Sequence, residues 1–150
     1  MVQYTICPSP FGSILIGWED GAVVSLRLGE TDANVTSPVS ELAASQLQEY
    51  FAGNRKTFTF PIDLRGTPFQ ISVWNALRQI PYGHTASYKD IAIAIGNEKA
   101  VRTVGMACNR NPIWIAIPCH RVIGTNRKLT GYAGGISMKD ALLKLESPNR

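Results

Sequence analysis

The stretch Ile113-Trp114-Ile115-Ala116-Ile117 limits most what this chain can become. Three isoleucines at alternate positions need a core on one side, and β-branched residues at period two suit a pleated strand better than a helix. The pattern predicts a buried strand ended by Pro118, which cannot donate to a ladder. Cys119 and His120 follow at once. A thiol at the mouth of a buried strand, with an imidazole beside it, is a nucleophile-and-base arrangement. A core cysteine next to a surface histidine is the other reading of the same pair.

Such a core needs enough chain around it. With 150 residues, 45% of them hydrophobic and 17% charged, the sequence describes an ordinary soluble globular protein of one domain or two small ones. It has no apolar run of transmembrane length, and Met1 leads into a strand-like segment with no signal-peptide pattern. Cys7, Cys108 and Cys119 are odd in number and show no C-x-x-C spacing. That argues against a disulfide framework or a zinc site and fits a reducing, cytoplasmic location. No metal or cofactor is expected.

Charge divides the chain. Residues 1–65 hold four Lys/Arg and seven Asp/Glu, a net −3; residues 66–150 hold eleven and four, a net +7. The second half is the candidate polyanion-binding half. In the first half, Val2 to Cys7, Ser13 to Trp18 and Ala22 to Leu28 read as an antiparallel meander with Gly/Pro/Asp turns between them. Glu30 to Ser37 reads as a loop and Pro38 to Ala52 as a helix with Ala43, Leu47, Tyr50 and Phe51 on one face, stopped by Gly53. Thr57 to Ile62 offers one more strand. Nothing there suggests chemistry, so 1–65 is expected to be a structural α+β domain and 66–150 the working one.

In the second half, Thr67-Pro68-Phe69-Gln70 is a capping box with proline at the first helical position, and Phe69, Val73, Trp74, Leu77 and Ile80 supply an apolar face. Ser87-Tyr88-Lys89-Asp90 opens a second helix, with Ile91, Ala92 and Ile95 inward and Gly96 closing it. A third runs from about Lys99 to Asn109 with Val101, Val104, Gly105 and Cys108 inward and Arg102, Met106 and Asn109 outward. Two short helices joined by a glycine turn in a basic half form a helix-turn-helix pattern, although many helical hairpins bind nothing. The outward face is sparse in groups that read base edges and better suits close approach to a groove with little sequence preference.

Asn109-Arg110-Asn111-Pro112 is the loop before the central strand. Gly124 to Gly135 is glycine-rich, with Arg127, Lys128 and Tyr132 inside it, and serves either as a plain turn or as a wall where a ligand approaches backbone amides. The phosphate-cradling P-loop pattern is missing. Ser137 is placed to cap a last helix with Met138, Ala141, Leu142 and Leu145 inward. That helix ends on Glu146, where a carboxylate is electrostatically out of place, so it is either a solvated end or held for a partner.

Taken together, these residues resemble the O6-alkylguanine-DNA alkyltransferases, the methylated-DNA–protein-cysteine methyltransferases. Pro118-Cys119-His120-Arg121-Val122 resembles the family's active-site pentapeptide, and the likeness runs from about Tyr82 to Glu146 through Tyr88, Arg102-x-Val104-Gly105, Asn111-Pro112 and Gly131-Tyr132-x-Gly134-Gly135. It implies an α+β fold: a small antiparallel-sheet N-terminal domain, ribonuclease-H-like in the family, and a mostly helical C-terminal domain with a helix-turn-helix. It also implies direct DNA repair, in which Cys119 takes an alkyl group from O6-alkylguanine and keeps it, a suicide reaction of one turnover without cofactor. By the same resemblance His120 is the base acting through a water, Glu146 orients it, and Asn111 braces the loop. Tyr88 and backbone amides near Ala133 and Gly134 stabilise the leaving guanine, the Val122 carbonyl reads its amino group, and Tyr132 lines the pocket. Arg102 fills the stack vacated by the flipped base in the minor groove, with Ala100, Gly105, Thr125 and Tyr88 also against the DNA. The implied partner is duplex DNA carrying O6-alkylguanine, with O4-alkylthymine left open, met by a monomer that binds no membrane and could assemble cooperatively on DNA.

The chain departs from the family at Ala133, where many relatives have serine, and at Cys108, read here as core. Three other functions compete. A lesion-binding relative that does not repair would carry tryptophan in place of Cys119. A Cys-His-Glu hydrolase on another fold leaves Arg102 and the helix-turn-helix unexplained. A promoter-specific regulator would need more base-reading side chains than the third helix offers.

Overall fold

The computed structural model describes residues 1–126, 128–129 and 131–147; Arg127 of the glycine-rich segment lies outside them. Two compact units form, Met1–Arg65 with Pro112–Trp114, and Gly66–Asn111 with the described residues from Ile115 on.

In the first unit, β1 (Gln3–Cys7), β2 (Ile14–Glu19) and β3 (Ala22–Leu28) pair antiparallel in the order β1-β2-β3. Asp20 and Gly21 take positive φ, 51° and 80°, the geometry a two-residue hairpin turn requires. Helix α1 (Pro38–Phe51) starts from a Ser37/Ser40 capping box and stops before Gly53, whose φ is 81°. Its buried Ala43, Leu47 and Tyr50 join Ile14, Ile16, Val23 and Leu26 in this unit's core.

Two expected strands do not form. Over 57–62 only Ile62 bridges β3 at Val23. Pro61 has no N–H for a ladder, and the Gln46 side chain takes the place of a partner strand: it donates to Thr59 Oγ1 at 2.6 Å and accepts from Thr59 N–H at 2.9 Å. Over 113–117 there are only isolated bridges, at Ile113, Trp114 and Ile117; Ile113 pairs with Leu26, whose N–H donates to Pro112 O at 2.8 Å. The chain then turns at Ile115, whose φ of 74° is foreign to a strand. The alternating burial of Ile113, Ile115 and Ile117 is real, but Ile113 belongs to the first unit and the other two to the second. One ladder cannot serve both cores.

The second unit is mostly helical. Helix α2 (Pro68–Leu77) carries the Thr67/Gln70 box, and Trp74 Nε1–H donates to Ala107 O at 2.9 Å. The short β4 (Ala86–Ser87) runs into α3 (Tyr88–Ala94) through the Ser87/Asp90 box, and Gly96 at φ 77° lets the chain turn into α4 (Val101–Asn109). On α4 the inward residues are Val104, Ala107 and Cys108; Val101, expected inward, is exposed, because the helix begins two residues later than its pattern suggests. A 3-10 turn, Cys119–Arg121, leads into β5 (Val122–Ile123), which pairs parallel with β4. Helix α5 (Ile136–Glu146) starts from Gly135 at φ 96° without a side-chain cap. Ser137, expected to cap it, sits inside the first turn, since the entry needs a backbone conformation that only glycine takes readily. No helix among the described residues is long and apolar enough to cross a membrane.

Because Ser87 caps α3 and also ends β4, Ser87→Ala should cost about 1 kcal/mol of stability and Ser87→Gly only a few tenths, as read by urea unfolding.

Candidate active site

The 3-10 turn delivers Cys119, His120 and Arg121 together, each buried. Beneath them, the last residue of α5 brings a buried carboxylate. Glu146 Oε2 accepts from His120 Nε2–H at 2.7 Å, while Arg121 donates through Nε to Oε1 at 2.8 Å and through Nη2 to Oε2 at 3.0 Å. The partner expected for Glu146 is there, and a second, Arg121, was not foreseen. Arg121 also donates to Ile80 O at 2.7 Å and lies 5.8 Å from the centre of the Tyr82 ring. Burial works against the Glu146 charge, but hydrogen bonds from His120 and Arg121 outweigh it and hold the carboxyl at about 2. This answers how a carboxylate ends a helix whose own dipole opposes it.

The same network sets the state of His120. Burial lowers its pKa, the Glu146 carboxylate raises it, and burial wins, helped by the charges of Arg121 and Lys139. The resting imidazole is therefore neutral. With Nε2–H committed to Glu146, Nδ1 carries the lone pair; it is buried and has no hydrogen-bond partner among the described residues. That nitrogen is where the ring can accept a proton.

Cys119 is 6% exposed, and burial pushes its thiol up to about 11. A thiol that far above neutrality is costly to ionise, by roughly 5 kcal/mol at pH 7, so it needs help. Two groups favour the thiolate. Asn111 Nδ2–H donates to Sγ at 3.2 Å and to Ile117 O at 2.7 Å, which fixes the loop at the same time. The charge of Lys139 acts in the same direction. Lys139 is fully buried on α5, with Nζ 6.0 Å from the centre of the Tyr88 ring, and burial lowers its own pKa. Sequence periodicity could have found it: Met138, Lys139, Leu142 and Glu146 are the buried face of α5. Cys108 is inert, its thiol pushed up to about 12 by burial.

The remaining residues all belong to the second unit. Val122, Tyr132 and Tyr88 lie in the same unit as the thiol; Tyr132 is buried, its hydroxyl raised by burial and by the Cys119 charge, and Tyr88 is half-buried at the start of α3. Ala133 is exposed and Gly134 half-exposed just before α5. On α4, Arg102 is exposed, whereas Ala100 is buried and Gly105 faces the Tyr88 ring. Ala100, expected against DNA, is buried in the packing at the start of α4, and a Cβ at Gly105 would meet the Tyr88 ring at 3.9 Å, an ordinary contact, so packing does not require glycine there. Thr125 lines a cavity of about 440 Å³ with Ser87 and Asp90. No three of His, Cys, Asp or Glu come together to hold a metal ion among the described residues.

Glu146→Gln should cost about 3–5 kcal/mol, because it leaves the Arg121 charge buried and unpaired, and adding Arg121→Met should return part of that. A carboxyl lowered in the folded state stabilises above its unfolded pKa. The gap between wild type and Glu146→Gln should therefore be full above about pH 4.5 and shrink as pH falls toward 2, which urea titrations across that range would show.

Comparison with known proteins gives this geometry a family. Residues 68–148 match the family described as 6-O-methylguanine DNA methyltransferase, DNA binding domain, and residues 2–64 its ribonuclease-like domain. The methylated-DNA–protein-cysteine methyltransferase of Methanosarcina mazei is 57% identical, covering 99% of both chains, and the constitutive one of Bacillus subtilis 46% identical, covering 97% of this chain and 96% of its own. A crystal structure of Mycobacterium tuberculosis OGT in complex with DNA superposes with a TM-score of 0.88 at 46% identity, covering 95% of this chain and 91% of that one. Sequence, fold and the buried Cys-His-Glu site agree: the chain belongs to the 6-O-methylguanine-DNA methyltransferases, the methylated-DNA–protein-cysteine methyltransferases of direct DNA repair.

Proposed function

We propose that Cys119 is the alkyl acceptor and that this monomer removes an alkyl group from O6-alkylguanine in duplex DNA once per molecule, in a reducing cytoplasm. The observation that carries this reading is the buried series in which Glu146 fixes His120 at 2.7 Å while Asn111 donates to Cys119 Sγ at 3.2 Å. The thiol proton passes to His120 Nδ1, through a water. Sulfur then forms a bond to the alkyl carbon as the C–O6 bond breaks, and that electron pair stays on guanine. Guanine takes up a proton at a ring nitrogen from the Tyr88 hydroxyl, which is restored from the imidazolium through solvent. The thiol proton thus ends on guanine and the alkyl group on sulfur.

Arg121 matters to the balance. By neutralising Glu146 it keeps His120 from being charged at rest, so the imidazole is ready to accept a proton. Asn111 and Lys139 stabilise the thiolate. Donors stabilise the departing base: Tyr88 and the amides of Ala133 and Gly134. The Val122 carbonyl and Tyr132 define its pocket. The target guanine must leave the stack to reach a buried thiol, and Arg102 fills the gap, with Thr125 on the backbone. Gly105 suits close approach of α4 to the DNA backbone, whereas Ala100 is buried in the packing at the start of the helix.

Incubation with O6-methylguanine duplex should add one methyl equivalent per protein, on the Cys119 peptide and not on Cys7 or Cys108, read by mass spectrometry; sustained turnover or label elsewhere would sink the proposal. Glu146→Gln, assayed below its melting temperature, should slow transfer at neutral pH and regain part of the rate as pH rises toward the thiol's own pKa of about 11. Superimposable rate profiles for the two proteins would mean that Glu146 has no part in activating Cys119.

A further inference from the structure

Neither the fold nor the transfer chemistry explains Met106. It is 56% exposed on α4, a large apolar side chain facing solvent in a helix whose neighbouring Ala107 and Cys108 are buried. Arg102, Met106 and Arg110 stand at i, i+4 and i+8, so they share one edge of the helix and its C-terminal cap, and all three are exposed. Helix α4 carries no acidic residue. The edge is therefore an apolar group between two cations. A polyanion whose inner surface is apolar matches that order: the minor groove of a duplex has phosphates on its rims, and sugars and base edges between them.

Spacing gives the placement. Four residues of helix rise about 6 Å, and stacked bases are about 3.4 Å apart. With Arg102 in the vacated position, Met106 falls one to two base steps along the groove and Arg110 reaches a phosphate beyond. Methionine is unbranched and adaptable, and it is among the side chains that act as wedges between base steps.

We infer that Met106 is a second insertion residue, whose thioether packs against the base step beside the one Arg102 fills and holds that stack open while the target base is out. This rests on the reading of Arg102 given above.

The test compares single-turnover transfer from an O6-methylguanine duplex with transfer from free O6-benzylguanine, which needs no base extrusion. The proteins are wild type, Met106→Ala, Met106→Gln and Arg102→Ala. A second set of duplexes carries 2-aminopurine on either side of the lesion to report unstacking. Met106→Ala should slow duplex transfer by about 10- to 100-fold and leave the free-base rate within about twofold. Met106→Gln, equal in length but polar, should fall between. Wild type should brighten 2-aminopurine on one flank, and Met106→Ala should not. An unchanged duplex rate overturns the inference, and is also what a protein partner on this edge would give. Equal losses on both substrates, or an unchanged 2-aminopurine signal, overturn it too. If Arg102→Ala shows the duplex-specific loss and Met106→Ala does not, only the assignment of Met106 falls. If neither shows it, the extrusion reading falls with it.

Discussion

The buried carboxylate of Glu146 is the interaction on which the working unit depends. It ends α5 where the helix dipole opposes a negative charge, and it is offset by Arg121 and His120 of the 3-10 turn. Without it, burying either partner becomes costly. Arg121 would hold an unpaired charge, and His120 would lose the bond that sets its tautomer. One carboxylate thus fixes both the turn that carries Cys119 and the tautomer of His120. Arg121 extends the restraint to Ile80 O, just beyond the end of α2.

Burying the nucleophile has an opposite effect, which the site must offset. A dry thiol is protonated and unreactive, and Cys119 at about 11 is far from self-activated. The gain is selectivity, since a buried thiol held as S–H does not react with whatever electrophile diffuses past. In the proposed reaction, activation is spread over His120 Nδ1, the Asn111 amide and the Lys139 charge. Each is positioned by a different element, so the reactive state exists only in the assembled fold. Cys7 and Cys108 are also raised by burial, and they have no base beside them in sequence.

Helix α4 divides its two sides between different tasks. Val104, Ala107 and Cys108 are buried, so the helix is held from within. Its outer edge is long, flexible and free of acids. Packing on one side gives the long side chains on the other a fixed starting line.

The sequence by itself determined much of this protein. The capping boxes at Thr67 and Ser87, the glycine stops at Gly53 and Gly96 and the hairpin at Asp20-Gly21 are local signals, set by interactions within a few residues, and they appear where the pattern puts them, as do the helical stripes apart from Val101. The likeness around Cys119 pointed to the family, and the misplaced charge of Glu146 pointed to a partner. Tertiary structure alone decided the rest. The period-two burial at Ile113, Ile115 and Ile117 says that three side chains are buried, not that one core buries them, and the turn at Ile115 follows from there being two. The stretch over 57–62 lost its ladder to a glutamine thirteen residues away. The burial of Arg121 could not be read locally, because a charge belongs in water unless a distant residue meets it. That Glu146 stands opposite is a property of the folded chain, not of the sequence around Arg121.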